Sequence, residues 1–334
     1  NKMGVMPIGK LLLTMAAPMI LSMLVQALYN VVDTLFVSRI YADAEKTDKL
    51  MAAMSLAFPI QNLQIGFATG IGVGMNSLLS KSLGENNRER ANKAAGNGIF
   101  LTGIITVMFM LFGIFGTRAY YSMMSDDAFI VESGTTYTSI CCILTLGVFV
   151  SILCERLLQA TGRTFYTMIT QGVGAVINII LDPVFIFGFT PLGIPAMGLA
   201  GAAIATVIGQ WIAAILAVIF NLKCNPDVQF SLGFLKPRLP VIRPILTVGI
   251  PSIIMVAIGS VMNFSMNQIL QGFSETATGV FGIYFKLQSF FFMPLFGINN
   301  ATISIIAYNY GARRPDRITG TLKRSALSAM TIML

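Results

Sequence analysis

The sequence has 334 residues, of which 55% are hydrophobic and only 11% are charged, and it contains no histidine. Soluble domains carry about 25% charged residues, so this composition and a mean hydropathy of +0.77 exclude a water-facing globular domain. The lack of histidine excludes zinc sites and catalytic triads that depend on histidine. The net charge of +8 could indicate either a nucleic-acid partner or membrane topology, and the positions of the basic residues decide between them.

Long apolar segments recur along the chain and predict an all-α polytopic membrane protein. A helix needs roughly 20 apolar residues to cross a hydrocarbon core of about 30 Å. We predict eight spans and the start of a ninth, at 10–38, 51–80, 95–117, 134–154, 165–189, 197–222, 243–271, 278–309 and from 320 onward.

The basic residues are distributed unevenly over the predicted connections. Seventeen of the 22 Lys and Arg residues fall at the N-terminus and in the even-numbered connections, and four fall in the odd-numbered ones. Cytoplasmic loops carry the excess of Lys and Arg, so we expect a cytoplasmic N-terminus in a bacterial inner membrane. The positive charge is therefore attributed to topology, and no nucleic-acid partner is expected.

An internal repeat relates the first and seventh spans, and the second and eighth. "LTMAAPMILSMLVQALYN" (13–30) aligns without gaps with "LTVGIPSIIMVAIGSVMN" (246–263). Six spans separate the copies, so both enter the membrane in the same direction, as in the parallel repeats of secondary transporters. We expect twelve helices in two lobes, of which about eight and a half are present here. Residues 1–222 would form helices 1–6, 223–242 a cytoplasmic linker, and 243–334 helices 7–8 and the start of helix 9.

The first predicted helix carries an acidic residue deep in its apolar segment. Gln26, Asn30 and Asp33 fall at positions i, i+4 and i+7, which lie on one helical face. A carboxylate at the centre of a membrane helix costs about 2.5–3.5 kcal/mol on insertion scales. We therefore expect this polar face to point into the bundle.

"GFATGIGVGMNS" (66–77) in the second span contains closely spaced glycines. No strand precedes it, so a phosphate-binding loop is not indicated. Gly66, Gly70 and Gly74 form two overlapping GxxxG pairs, a pattern that allows helices to pack closely.

The fifth span, which includes "NIILDPVFIF" (178–187), carries the second deep acid. Gln171, Asn178 and Asp182 fall at i, i+7 and i+11, again on one face. Pro183 has no N–H group, so the carbonyl oxygen of Ile179 loses its helical partner. A free carbonyl oxygen one turn from a carboxylate is suited to binding a cation.

These polar groups predict an ion site between the first, fifth and sixth helices. The expected oxygen ligands come from Asp33, Asn178, Asp182 and a hydroxyl such as that of Thr206. Oxygen ligands suit hard cations such as Na⁺, in which case Asp33 and Asp182 would be the metal ligands. Alternatively, burial raises the proton affinity of the carboxylates and protons are the coupling ion. The sequence does not decide between the two, and no other cofactor is expected.

The second half lacks the first acid, since Met266 stands where the repeat places Asp33. The expected ion site is therefore confined to the first half, and methionine and polar residues suggest a cavity that accepts many shapes. Lys286 either extends towards the membrane interface or contacts substrate. The predicted substrate cavity comprises Gln26, Asn30, Asn263, Met266, Asn267 and Lys286.

Several segments resemble the multidrug and toxic compound extrusion (MATE) family, particularly its DinF-like branch. They are "AAPMILSMLVQALYNVVDTLFVSRI", "LSKSLGENNRERA", "NIILDPVFIFGF", "GLAGAAIATVIGQ" and "IAYNYGARRPDRI". The resemblance implies export of cationic or amphipathic compounds, in exchange for Na⁺ or H⁺, by a protein that we expect to be a monomer. It also implies a cation site formed by Asp33, Asn178, Asp182, Thr206 and the carbonyl oxygen of Ala202.

Two other functions compete with multidrug export. A flippase or exporter of lipid-linked saccharides would share the fold, but it should have a more cationic cavity to bind phosphates. An intramembrane enzyme is not expected, because the chain has no histidine and no Ser–Lys or paired catalytic acid motif at helical spacing. We therefore predict a cation-coupled multidrug antiporter that works by alternating access, within a membrane lipid environment.

Overall fold

The computed structural model describes residues 2–333, with gaps at 42, 190, 192, 230 and 272–274. Within the helices, the described side chains exclude those of 44, 232, 260, 263, 264, 267, 268, 271, 275–283, 285–287, 289 and 290. Three residues of the predicted substrate cavity, Asn263, Asn267 and Lys286, therefore lie outside the described side chains.

The described part of the chain is almost entirely helical, which confirms the all-α prediction. The helices are α1 (Lys2–Val5), α2 (Ile8–Val37), α3 (Ala44–Gly84), α4 (Arg88–Leu111), α5 (Thr117–Met124), α6 (Ala128–Ile143), α7 (Leu146–Ala160), α8 (Thr164–Ile186), α9 (Leu199–Cys224), α10 (Leu239–Gln271), α11 (Glu275–Gly311) and α12 (Pro315–Met333). A π-helical segment, Phe112–Gly116, joins α4 to α5, and a 3-10 turn, Leu232–Leu235, precedes α10.

Several helices begin at polar residues that cap them. The side chains of Asp43, Asn87 and Asp127 accept hydrogen bonds from backbone amides in the first turns of α3, α4 and α6. These amides have no partner inside the helix, so a capping oxygen stabilises the first turn. The helix starts therefore follow from local side-chain chemistry as well as from hydropathy.

The predicted membrane spans correspond to the observed helices in order. Among the described residues, seven helices are long and apolar enough to cross a membrane. The count is eight if α6 and α7, which meet at a 46° bend, form one span. The chain is a multi-pass membrane protein.

The predicted end of the fourth span, at residue 154, is wrong. Helix α7 continues to Ala160, and Arg156, which the sequence prediction places in a loop, is only 8% exposed inside the helix. Leu157 and Ala160 continue the apolar face of the helix and are completely buried. The charged pair Glu155–Arg156 therefore lies within the bundle and does not mark a boundary.

The two aligned helix pairs contact each other reciprocally. Helix α2 packs on α11, and α3 packs on α10, so the first helix of each pair contacts the second helix of the other. This reciprocity is expected when two copies are related by a two-fold axis. The predicted division into lobes at 222 and 243 remains a prediction.

The contact between α3 and α10 depends on the absence of side chains on α3. A Cβ atom at Gly74 would overlap the carbonyl group of Ile245, and one at Gly70 would lie 2.8 Å from the carbonyl oxygen of Gly249. A Cβ atom at Gly66 would lie 3.3 Å from the side chain of Val256. Close packing through the GxxxG pattern is confirmed.

We expect Gly74→Ala to destabilise the protein, because the new methyl group meets a backbone carbonyl that cannot rotate away. Overpacking of this kind costs about 1–3 kcal/mol, which should appear as a lower midpoint of thermal unfolding in detergent. Gly103→Ala is the matched control: it lies on α4 with nothing within 4 Å of its Cβ position. A Gly74→Ala protein that melts at or above the parent's temperature would contradict the packing argument.

Candidate functional site

The connection after α8 folds back sharply and places α9 against α8. Gly198 has a φ angle of 55°, a conformation that glycine adopts at little cost. Its amide donates to the carbonyl oxygen of Ile186 at 3.1 Å. A Cβ atom at Gly201 would overlap the carbonyl group of Phe185, so the first turn of α9 lies directly against the last turn of α8.

Three of the predicted polar residues meet between these two helices. Asn178 Nδ2 donates to Asp182 Oδ1 at 3.2 Å and to Thr206 Oγ1 at 3.2 Å. Asn178 and Asp182 are 3% and 0% exposed. A side-chain amide has two N–H donors, so one asparagine satisfies both bonds and leaves its own oxygen as an acceptor.

Asp33 lies on α2, which packs along α8, and it is 6% exposed. Val37 and Ile186 belong to one buried hydrophobic cluster. Val37 follows Asp33 by one helical turn, and Ile186 follows Asp182 by one turn. The shared cluster therefore places both carboxylates at similar depth in the bundle, on neighbouring helices.

Asp33, Asn178 and Asp182 each keep a buried oxygen without a hydrogen-bond partner among the described atoms. The oxygens are Asp33 Oδ1, Asn178 Oδ1 and Asp182 Oδ2. Buried polar atoms are normally paired, and an unpaired one costs about 1–3 kcal/mol. Carboxylate and amide oxygens are the ligands that hard cations take, and a proton would instead turn a carboxylate into a donor.

We call Asp33, Asn178, Asp182 and Thr206 the acidic cluster. Ala202 lies one turn before Thr206 on α9 and is completely buried, with its side chain in the same hydrophobic cluster as Val37. The five residues of the expected cation site thus lie on α2, α8 and α9, and the residue types present fit either a hard cation or a proton. That they bind one remains a prediction.

The expected substrate cavity is only partly described. On α2, Gln26 is half-buried and Asn30 is exposed. On α10, Met266 is 37% exposed, and Met255 and Met262 are also exposed. Asn30 and Met266 are therefore accessible from outside the protein, whereas Asp33, Asn178 and Asp182 are buried and Thr206 is half-buried.

A third buried acid, Glu155 on α7, was missed by the sequence reasoning. It is 4% exposed. Its oxygens accept hydrogen bonds from Gln171 Nε2 at 2.7 Å, Thr170 Oγ1 at 3.2 Å and Ser151 Oγ at 3.3 Å. The apolar run Leu157–Leu158 after the charged pair was the signal that the helix continues.

Glu155 changes the interpretation of the polar face of α8. Gln171 was expected to join Asn178 and Asp182, but it donates to Glu155 instead. Gln171 precedes Asn178 by seven positions on α8, which corresponds to about 10 Å along the helix. Helix α8 therefore contacts two separate acidic sites, at different depths in the bundle.

Comparison with known proteins identifies one family. The family model described as MatE matches residues 18–184 and 251–334, which is most of the chain. The chain also resembles a solved structure described as the outward-facing conformation of a multidrug resistance MATE family transporter of the MOP superfamily. The TM-score is 0.89 and the identity 25%, over 97% of this chain and 69% of that one.

Two curated relatives are multidrug export proteins of staphylococci, both named MepA. The protein from Staphylococcus saprophyticus is 24% identical over 88% of this chain, and this alignment covers 63% of its own length. The protein from Staphylococcus haemolyticus is 24% identical over 97% of this chain and 69% of its own length. The chain thus spans about two thirds of the length of these relatives.

We expect Glu155→Ala to lower the stability of the protein more than Glu155→Gln. Alanine leaves the buried donors Ser151, Thr170 and Gln171 without their acceptor, at about 1–3 kcal/mol for each group left unpaired. Glutamine keeps one oxygen as acceptor and the side-chain volume. Thermal unfolding in detergent measures the difference, and equal melting temperatures for both variants and the parent would rule out a structural role for this hydrogen-bond network.

Proposed function

This chain belongs to the MatE family of membrane transporters, and we propose that it is a cation-coupled multidrug efflux antiporter. It would export amphipathic or cationic compounds by alternating access, in exchange for Na⁺ or H⁺. The single observation that carries the coupling is the acidic cluster, in which two buried carboxylates and an amide each keep an unpaired oxygen.

The acidic cluster has the properties that a coupling site needs. Asp33 and Asp182 are ionisable groups buried away from water. A bound cation stabilises their negative charge, and without a cation that charge is uncompensated. Moving one charge inward through 100 mV of membrane potential supplies about 2.3 kcal/mol. That free energy is enough to change the populations of two conformations substantially.

Exchange requires that the cation and the drug favour different conformations. A ligand shifts a conformational equilibrium only by its difference in affinity for the two states. The cation would favour the state in which α2 and α8 bring Asp33 and Asp182 together. The drug would favour a state in which the helices around the cluster have moved apart, so the two need not be bound at the same time.

The substrate class rests on the relatives and on the exposed residues of α10. Both curated relatives are named multidrug export proteins. Methionine is flexible and polarisable, and surfaces rich in it accommodate ligands of different shapes. Met255, Met262 and Met266 are exposed along α10. A flippase for lipid-linked saccharides is disfavoured, since the buried acids Asp33, Glu155 and Asp182 would repel a phosphate.

The proposed setting is the cytoplasmic membrane of a bacterium, with the N-terminus in the cytoplasm and the protein acting as a monomer. The distribution of Lys and Arg supports this orientation by the positive-inside rule. Arg156 is excluded from that argument because it is buried within α7, and the excess at the N-terminus and the even-numbered connections remains without it.

We expect Asp33→Asn and Asp182→Asn each to abolish gradient-driven efflux of ethidium from proteoliposomes. Asparagine keeps the size of aspartate but cannot ionise, so it cannot exchange a cation. The assay should impose Na⁺ and proton gradients separately, which identifies the coupling ion in the parent. Asp126→Asn is the control, because Asp126 is an exposed acid in the connection between α5 and α6. Undiminished efflux in both cluster variants would reject the coupling site.

A further inference from the structure

The chain segment before α2 is bound to the turn between α11 and α12. Arg317 Nη2 donates to the carbonyl oxygens of Met3 at 2.9 Å and Met6 at 2.8 Å. Arg314 Nη1 donates to the carbonyl oxygen of Gly4 at 2.7 Å, and Asn309 Nδ2 donates to that of Met3 at 3.2 Å. Residues 2–6, which we call the N-terminal segment, are therefore held through their backbone.

The turn is organised to receive carbonyl groups. Asn309 is completely buried, and its Oδ1 accepts from Arg317 Nε at 3.1 Å, which fixes the guanidinium. Asn309 Nδ2 also donates to the carbonyl oxygen of Ile305 at 2.8 Å. Carbonyl oxygens at the end of a helix as short as α1 have no helical partner, and a positive charge there is favourable.

Side chains of the segment are buried at the same place. Met3 is completely buried and begins a hydrophobic cluster that continues through Leu11 and Met15 of α2 to Ile298 and Ala301 of α11. A Cβ atom at Gly4 would lie 3.1 Å from the ring of Tyr308. The segment therefore extends the contact between α2 and α11 beyond the end of α2.

The two aligned helix pairs are joined by further contacts at this end of the bundle. Ser304 Oγ of α11 donates to Asn76 Oδ1 of α3 at 3.1 Å, and both residues are buried. A Cβ atom at Gly84 would overlap the carbonyl group of Tyr308, and one at Gly311 would overlap that of Lys81. The N-terminal segment thus lies at the end where the bundle is closed by direct contact between the pairs.

In the first copy, α4 also holds the segment before α10, because Asn92 Oδ1 accepts from the Gln229 amide at 2.9 Å and Asn97 Oδ1 accepts from the Arg238 amide at 2.8 Å. Binding through an arginine, in contrast, is found in one copy only among the described residues. Arg90 is the residue that aligns with Arg317, but its guanidinium pairs with Glu85 of its own turn at 3.1 Å. It does not reach another segment of the described chain through any comparable set of carbonyl contacts. An arginine present in both copies therefore binds a distant segment in the second copy only.

We propose that the turn between α11 and α12 is a docking surface for the N-terminal segment, and that this latch keeps α2 on α11 and must release when the transporter opens at this end. The proposal rests on the proposed function, because it assumes that the two halves separate during transport. It adds a site that controls this separation, at the opposite end of α2 from Asp33 and roughly 38 Å away along the helix.

The first test measures exposure of the interface that the latch covers. Ala301, completely buried between α2 and α11, is replaced by cysteine in a Cys224→Ser background, and its rate of maleimide labelling is recorded in detergent. Arg317→Ala should raise that rate by about tenfold, since it removes charge-assisted hydrogen bonds. Lys323→Ala, an exposed cation on α12, should leave the rate unchanged. Equal labelling in the Arg317→Ala and Lys323→Ala proteins would overturn the proposal.

The second test closes the latch covalently and so does not depend on the stability of an arginine variant. Gly4→Cys and Arg314→Cys are joined by a short reducible cross-linker with the reach of the arginine side chain. Cross-linking should keep the thiol introduced by Ala301→Cys protected and stop transport, and a reductant should restore both labelling and transport. Transport at the same rate before and after cross-linking would contradict the latch. The labelling assay uses no drug and no ion gradient, so a parent protein that exports no drug would count against the proposed function and not against the latch.

Discussion

The central physical constraint on this structure is the free-energy cost of burying ionisable acidic side chains inside a membrane bundle, where water cannot solvate them. Asp33, Asp182 and Glu155 are all buried in helices that cross the membrane or form part of a bent span. Glu155 has its cost offset by three hydrogen-bond donors. The burial cost of Asp33 and Asp182 is not offset to the same extent, because each keeps a buried oxygen without a hydrogen-bond partner among the described atoms. That contrast separates a structural acid from a pair suited to an exchangeable cation.

Helix α2 connects the latch to the acidic cluster. Its first half packs on α11 through Leu11 and Met15, and its second half carries Asp33 beside α8. The two sites therefore lie on one helix, with Pro18 between them. Helix α8 has a similar double role, since it contacts Glu155 through Gln171 and forms the acidic cluster through Asn178.

The sequence predicted the features that follow from local spacing and hydropathy. The spans, the GxxxG contacts and the shared face of Asn178 and Asp182 follow from helical periodicity, and the structure has them. Thr206 could be named only as one example of a hydroxyl ligand, and Ala202 came from the family resemblance, because no periodicity relates one helix to the next. Glu155 was missed because a charged pair after an apolar run commonly marks the end of a span, and only the short apolar run Leu157–Leu158 after it indicates that this helix continues. The latch was missed because its bonds go to backbone carbonyls, which carry no sequence signal.

Equilibrium ion binding to the purified protein tests the central claim most directly. Binding of radioactive Na⁺ and the release or uptake of protons would be measured together, in the parent and in the Asp33→Asn, Asp182→Asn double variant. We predict that the parent binds Na⁺ saturably or takes up protons that the double variant does not, according to which ion is coupled. Identical Na⁺ binding and identical proton uptake in the two proteins would show that the buried carboxylates hold no exchangeable cation.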